Sequence, residues 1–226
     1  MRHPLRWLIA GVTIVVLAAI GFGAWYVFGD SAPAKPKLNA APIDAGGPAT
    51  PAGAWKVAPG PNVYVGYRMT EVFAGDIVHK TAVGRTPAVS GTMTIAAGKV
   101  TQADVVGQMQ QLASNRAARD NYIHSHAIDS DSYPTAAFRL TTPITLPQPS
   151  TKGAEIDVQA AGTLTLHGVT RPITIPLRTK WSGDTIQVVG TAPIVLADYQ
   201  IQPPDTGVVK VDNHGSLELS LTFVRG

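Results

Sequence analysis

Three places in the sequence hold residue types that could do chemistry, and each depends on a different local geometry. His167 stands in "LTLHGVTRPITIPL", residues 164–177, beside Gly168 and between two runs that alternate apolar and polar. A catalytic histidine needs a nucleophile or carboxylate brought to it by the fold, and the chain has no G-x-S-x-G nucleophile elbow. In a hairpin, Leu164 and Leu166 share one face and Thr163, Thr165 and His167 the other, with Gly168-Val169-Thr170-Arg171 as the bend. Pro172 then opens the return strand, where its missing N–H is tolerated. That arrangement favours His167 as a turn anchor, ahead of contact with a ligand head group and of catalysis.

His124 and His126 form the second constellation, with Asp129 and Asp131 close by. On a strand, residues i and i+2 point to one side and could share a metal; on a helix they stand roughly 200° apart and cannot. The surrounding "SNRAARDNYIHSHAI", Ser114 to Ile128, reads as a short helix with Ser114 as its N-cap, so no metal site is assigned. Third, Arg119-Asp120 reads as a local ion pair at the helix end. Phosphate-cradling glycine loops and H-E-x-x-H are missing, and the absence of cysteine removes thiol nucleophiles, disulfides and Cys-zinc sites. No catalytic residue is assigned.

The elements that must position these residues are strands. From Trp55 onwards the period is two: Val63/Val65/Tyr67, Val89/Gly91/Met93/Ile95, Ile156/Val158/Ala160, Leu164/Leu166, Ile173/Ile175/Leu177, Ile186/Val188 and Leu217/Leu219/Leu221/Phe223. Turn signals fall at Ala97-Gly98-Lys99, Ser182-Gly183-Asp184 and Asn213-His214-Gly215. About eight strands with short connections predict an all-β antiparallel barrel or sandwich with one or two short helices. "ADVVGQMQQLA", residues 103–113, fits either a helix or a strand.

Before this domain the chain reads differently. Trp7 to Gly29 carries no charge and is long enough as a helix to cross a bilayer, with Arg2 and Arg6 before it and Trp25 and Tyr26 at its far end. The expectation is a single-pass anchor over residues 1–30, with a cleaved signal peptide at Ala32-Pro33-Ala34 as the alternative. Either way, the domain lies on the extracytoplasmic side. Residues 31–54, rich in Ala, Pro and Gly, read as a linker, and 55–226 as the folded domain. The net charge of +3 does not argue for nucleic acid. Residues 1–54 set Arg2, Arg6, Lys35 and Lys37 against Asp30 and Asp44, and the rest balances 14 basic with 13 acidic side chains.

"RDNYI" (119–123), "SYPTAAF" (132–138), "GTLTLHGVTRPITIPL" (162–177), "LELSLTF" (217–223) and "VGYRMTEVF…TAVGRTPAVSGTMTI" (65–95) resemble the YceI-like polyisoprenoid-binding family. The last of these is in the style of its actinobacterial members, and the resemblance runs from Trp55 to the C-terminus. It implies an extended, lipocalin-like antiparallel β-barrel whose apolar pore holds a long isoprenoid chain. It also implies a strand over 103–110, a helix starting near Ser114, and His167 in the family's turn. Departures are Ala127-Ile128, where an aromatic or apolar pair is common, and Gln200 after Tyr199, where glycine is common.

Pore-lining candidates are Val63, Val65, Gly91, Met93, Met109, Phe138, Ala160, Ile175, Leu177 and Val188. Candidates for a head group or the mouth are His167, Arg139, Arg171 and Arg178. The expected protein is a membrane-tethered carrier or sequestering protein for an isoprenoid such as a quinone or polyprenyl lipid, with no cofactor otherwise. The rival classes are a structural or stress-related envelope module without a ligand, and a His- or metal-dependent hydrolase.

Overall fold

The structure is a computed structural model that describes residues 31–39, 49–73, 77–207 and 209–226. The expected membrane-crossing run lies outside the described residues. Among those described, no helix is long and apolar enough to cross a membrane. The chain divides into two compact units, 1–33 and 34–226. Of the first, only residues 31–33 are described, and they are exposed and irregular.

Period-two sequence becomes antiparallel sheet throughout the second unit. Its strands are β1 (Gly53–Val57), β2 (Tyr64–Phe73), β3 (Val78–Thr86), β4 (Val89–Ala96), β5 (Lys99–Gln108) and β6 (Thr135–Leu140). β7 (Ile144–Thr145), β8 (Glu155–Leu166), β9 (Val169–Trp181), β10 (Thr185–Val195) and β11 (Val209–Arg225) follow. β1 and β2 lie end to end on one edge of β11, pairing Trp55 with Arg225 and Tyr64 with Ser220. On their far side β1 pairs with β4 and β2 with β3, and only Pro87-Ala88 separates β3 from β4. Taken as β1–β2, β3–β4, β5, β6, β8, β9, β10 and β11, eight staves close into a barrel, as expected. The ambiguous residues 103–108 are strand, and Met109–Gln111 forms a 3-10 turn after them.

Three local expectations are corrected. Leu166 pairs directly with Val169, so the β8–β9 bend is His167-Gly168 alone, with φ of 50° and 72°. Two consecutive left-handed residues match the right-handed twist of the flanking strands. Pro172 therefore sits inside β9, opposite Thr163. Asn213-His214-Gly215 makes no turn; it is a bulge inside β11, where the register with β2 slips between Val211 and Gly215. Gly215 is needed there because a Cβ would run into the Met69 sulfur. The helix α1 (Ala117–Tyr122) starts three residues after Ser114 and continues as a π-turn through Ile123–Ala127. Arg116 occupies the N-cap without a side-chain cap, and the Ser114 N–H instead donates to Asp120 at 2.9 Å.

The buried residues form two clusters at opposite ends of the barrel. Trp55, Met93, Val100, Trp181, Ile186 and Phe223 pack at the end bearing the Ala97-Gly98 and Ser182–Asp184 turns. Met109, Leu112, Ile128, Leu164, Leu166 and Tyr199 pack at the end bearing α1 and the His167 hairpin.

Candidate functional site

Between the clusters the inward row is built mostly from small residues. Gly107, Ala160, Gly162, Gly190 and Ala192 are buried there and belong to neither cluster. The larger side chains beside them lie flat on the glycines. A Cβ at Gly107 would stand 2.5 Å from Val65, one at Gly162 2.6 Å from the Phe138 ring, and one at Gly190 2.6 Å from Leu177. Leaning on glycine keeps those side chains against the wall and out of the bore. Val65, Val105, Leu177, Leu217 and Leu219 all pack against the clusters, yet each remains only half-buried.

The pore-lining candidates distribute over this interior. Val63, Met93 and Val188 are buried in the first cluster, with Val65 and Leu177 against it, and Met109 belongs to the second. Ala160 and Ile175, 2% and 6% exposed, fall in the row between, and Phe138 lies over Gly162 beside them. Neighbouring strands also require glycine at two of these positions: a Cβ at Gly91 would stand 2.5 Å from the Asp104 carbonyl oxygen, and one at Gly162 2.3 Å from that of Arg139.

Only two of the four head-group candidates come together. His167 Nδ1 donates to the Tyr199 carbonyl at 3.0 Å, and its ring meets Tyr133 edge-on with centroids 4.6 Å apart. Arg171 Nε donates to the Asp198 carbonyl at 3.1 Å, so both hold the 3-10 turn Leu196–Tyr199. That turn covers a place where the wall is not laced. β9 pairs with β10 only from Leu177 to Trp181, and the stretch above carries Pro172, Pro176 and Pro193, which cannot donate to a ladder. Gln200, after the turn, takes φ of 57°, the left-handed conformation that glycine adopts most readily. Arg139 and Arg178 stand elsewhere, on the outer wall, in exposed cross-strand pairs with Asp104 at 2.8 Å and Asp157 at 3.1 Å.

The histidine pair does not converge. The Leu112 carbonyl can only accept, so His124 Nε2 donates to it (2.9 Å), and Nδ1 lies 3.0 Å from the Ser130 hydroxyl. His126 stacks on Tyr122 with its Nδ1 2.6 Å from Ser125 Oγ. Among the described residues, no group of three metal-ligating side chains forms.

Sequence reasoning missed the charged residues that fold into the wall. Arg119 does not pair with Asp120 as expected. Its Nε and Nη2 grip Glu71 at 2.6 and 2.8 Å, and Nη1 donates to Ser114 and Asn115. Glu71 is inward-facing and 6% exposed, and the inward phase of "YVGYRMTEVF" is the signal that could have found it. Two residues of that phase earlier, Tyr67 is also turned inward, and burial pushes its phenol well above its ordinary value. Glu218, 1% exposed, lies on the outer face between Arg68 at 2.5 Å and Arg85 at 3.0 Å. Ala34 to Asn39 crosses this face, accepting from Arg85 through the Ala34 carbonyl and donating from the Asn39 N–H to Gln187.

Residues 65–223 match the family profile described as YceI-like domain. A UPF0312 protein of Vibrio vulnificus is 39% identical over 115 residues, covering 47% of this chain and 55% of the relative. One from Vibrio parahaemolyticus is 39% identical over 106 residues, 43% and 52% of the two chains. The chain thus spans about half the length of the curated relatives it matches. Among solved structures, a polyisoprenoid-binding domain of Saccharophagus degradans, implicated in plant cell wall breakdown, superposes with a TM-score of 0.56. It is 17% identical, and the match covers 76% of this chain and 98% of that one. BcnA of Burkholderia cenocepacia gives 0.53 at 17% identity, over 69% and 95%. At that identity the likeness concerns the fold.

Proposed function

Because this chain belongs to the YceI-like family, we propose that its barrel is a container for a polyisoprenoid or similar long-chain lipid, carried or sequestered rather than transformed. The observation that carries this reading is the middle row, where inward apolar side chains lie on glycines and keep part of their surface unburied between two packed ends. A slender apolar chain is the ligand such a space suits, and a prenyl tail gains about 0.8 kcal/mol for each carbon it buries. That sum offsets the cost of association without any charged clamp. The fold shared with the Saccharophagus polyisoprenoid-binding domain supports the same cargo class.

The finer reading is a membrane-tethered protein in the style of actinobacterial members, anchored through Trp7 to Gly29 with its barrel on the extracytoplasmic side. A tether would keep the container close to a membrane-dissolved cargo. Arg171 and His167 stand at the mouth in this reading, and Arg139 and Arg178 serve the outer wall.

The test is organic extraction and mass spectrometry of the intact chain, purified in a lipid-free detergent, beside its Ala160→Trp variant. A near-stoichiometric prenyl lipid in the first, absent from a folded second, is the expected result. A wild-type chain that carries nothing and takes up neither quinones nor polyprenols would leave a ligand-free envelope module as the better reading.

A further inference from the structure

We propose that Tyr67 receives the polar end of the cargo and selects an uncharged, hydrogen-bond-accepting head, such as a quinone carbonyl, over a phosphate. This rests on the container reading and adds to it the chemistry of one position. Tyr67 lies on the inner face of β2, opposite Leu217 on one side and Gly84 on the other. Glycine at 84 is what admits the ring, since a Cβ there would stand 2.8 Å from the phenol oxygen and closer still to the ring carbons. That oxygen is buried and has no hydrogen-bond partner. Native interiors rarely keep such a group unless a ligand or water completes it.

The surroundings decide what the ligand group can be. The charges nearest Tyr67 are Arg119, Asp120 and Glu71, which together leave one net negative charge. Arg119 is the only cation of the three, and four of its five N–H donors are already directed at Glu71, Ser114 and Asn115. A phosphate entering here would meet one cation already paired with Glu71 and would be repelled by the two carboxylates. An uncharged oxygen meets a willing donor, because burial favours the protonated phenol and so keeps the O–H in place. The tail then runs past Val65 and Gly107 into the middle row.

The experiment is a titration of the intact chain, freed of lipid, with three probes of equal chain length: a prenylated benzoquinone, the matching hydrocarbon and the prenyl pyrophosphate. The expected order places the quinone roughly tenfold tighter than the hydrocarbon, the worth of one buried neutral hydrogen bond. Tyr67→Phe should abolish that preference, leave hydrocarbon binding unchanged and melt no lower than the wild type. Equal affinity for quinone and hydrocarbon, a preference that survives Tyr67→Phe, or tightest binding of the pyrophosphate would each overturn the inference. In those cases hydrocarbon binding persists and the container stands; if no probe binds, the container reading falls with it.

Discussion

Charged residues divide in this protein by what covers them, and burial decides their worth. Glu218 has no exposed side-chain surface and holds two arginines, whereas Asp157 and Arg178 meet in solvent. Removing one member of a buried pair strands the others, at about 3–5 kcal/mol, while an exposed pair contributes about 0–1 kcal/mol. Glu218→Gln should therefore lower the urea-unfolding free energy by that larger amount, and Asp157→Asn should leave it nearly unchanged; equal effects would mean that Glu218 is hydrated in solution. Neither value is legible from the strand pattern. Glu218 stands in the outward phase of "LELSLTF" and is paired with Arg68 and Arg85, more than 130 residues away in sequence, the second of which also holds the Ala34 carbonyl. His167 was legible as an anchor, because histidine beside glycine between alternating runs needs only local geometry. Its acceptor, the Tyr199 carbonyl, is set by the fold.

Among elements, α1 depends most on a single contact. It has six residues, no side-chain N-cap and no buried residue of its own, so too little intrinsic stability to stand alone. Its tether is Arg119 on Glu71, across 48 residues of sequence. Arg119→Ala should raise amide hydrogen exchange over 117–127 well above that of β8 and β10, since the helix would part locally from an intact barrel. Unchanged exchange would assign the docking to Ile123 and Ile128 instead. Strand existence was readable because period two persists through β4, β8, β9, β10 and β11. The helix start was not, because Ser114 is a good cap by type but gives its backbone to Asp120. Nor was the β11 bulge, since the residues that make a turn between strands also make a bulge within one.

For the molecule as a whole, alkaline pH is the informative axis. Tyr64, Tyr67 and Tyr199 are all raised above 10.0, with burial the first cause in each. The folded protein then keeps protons that the unfolded chain releases, so this part of its stability is complete below pH about 10 and lost as pH climbs through the folded values. Melting temperature should hold level from about pH 7 to 9 and fall beyond, less steeply in Tyr67→Phe; an identical fall in that variant would place the sensitivity at the other two. Barrel closure itself was readable only as strand number, because the register that laces β1 and β2 to one edge of β11 follows from contacts across the whole chain. The unlaced upper stretch between β9 and β10 carries a consequence in time. Parting it breaks no ladder, only the His167 and Arg171 contacts to one short turn and the apolar packing of Tyr199 beneath it, so in the proposed container a lipid would pass there first. His167→Ala with Arg171→Ala should speed loading and release together while leaving the equilibrium occupancy unchanged, as stopped-flow exchange of a fluorescent lipid would show. In the proposed container, how long a lipid stays would then be governed at the seam, and how tightly it is held in the bore.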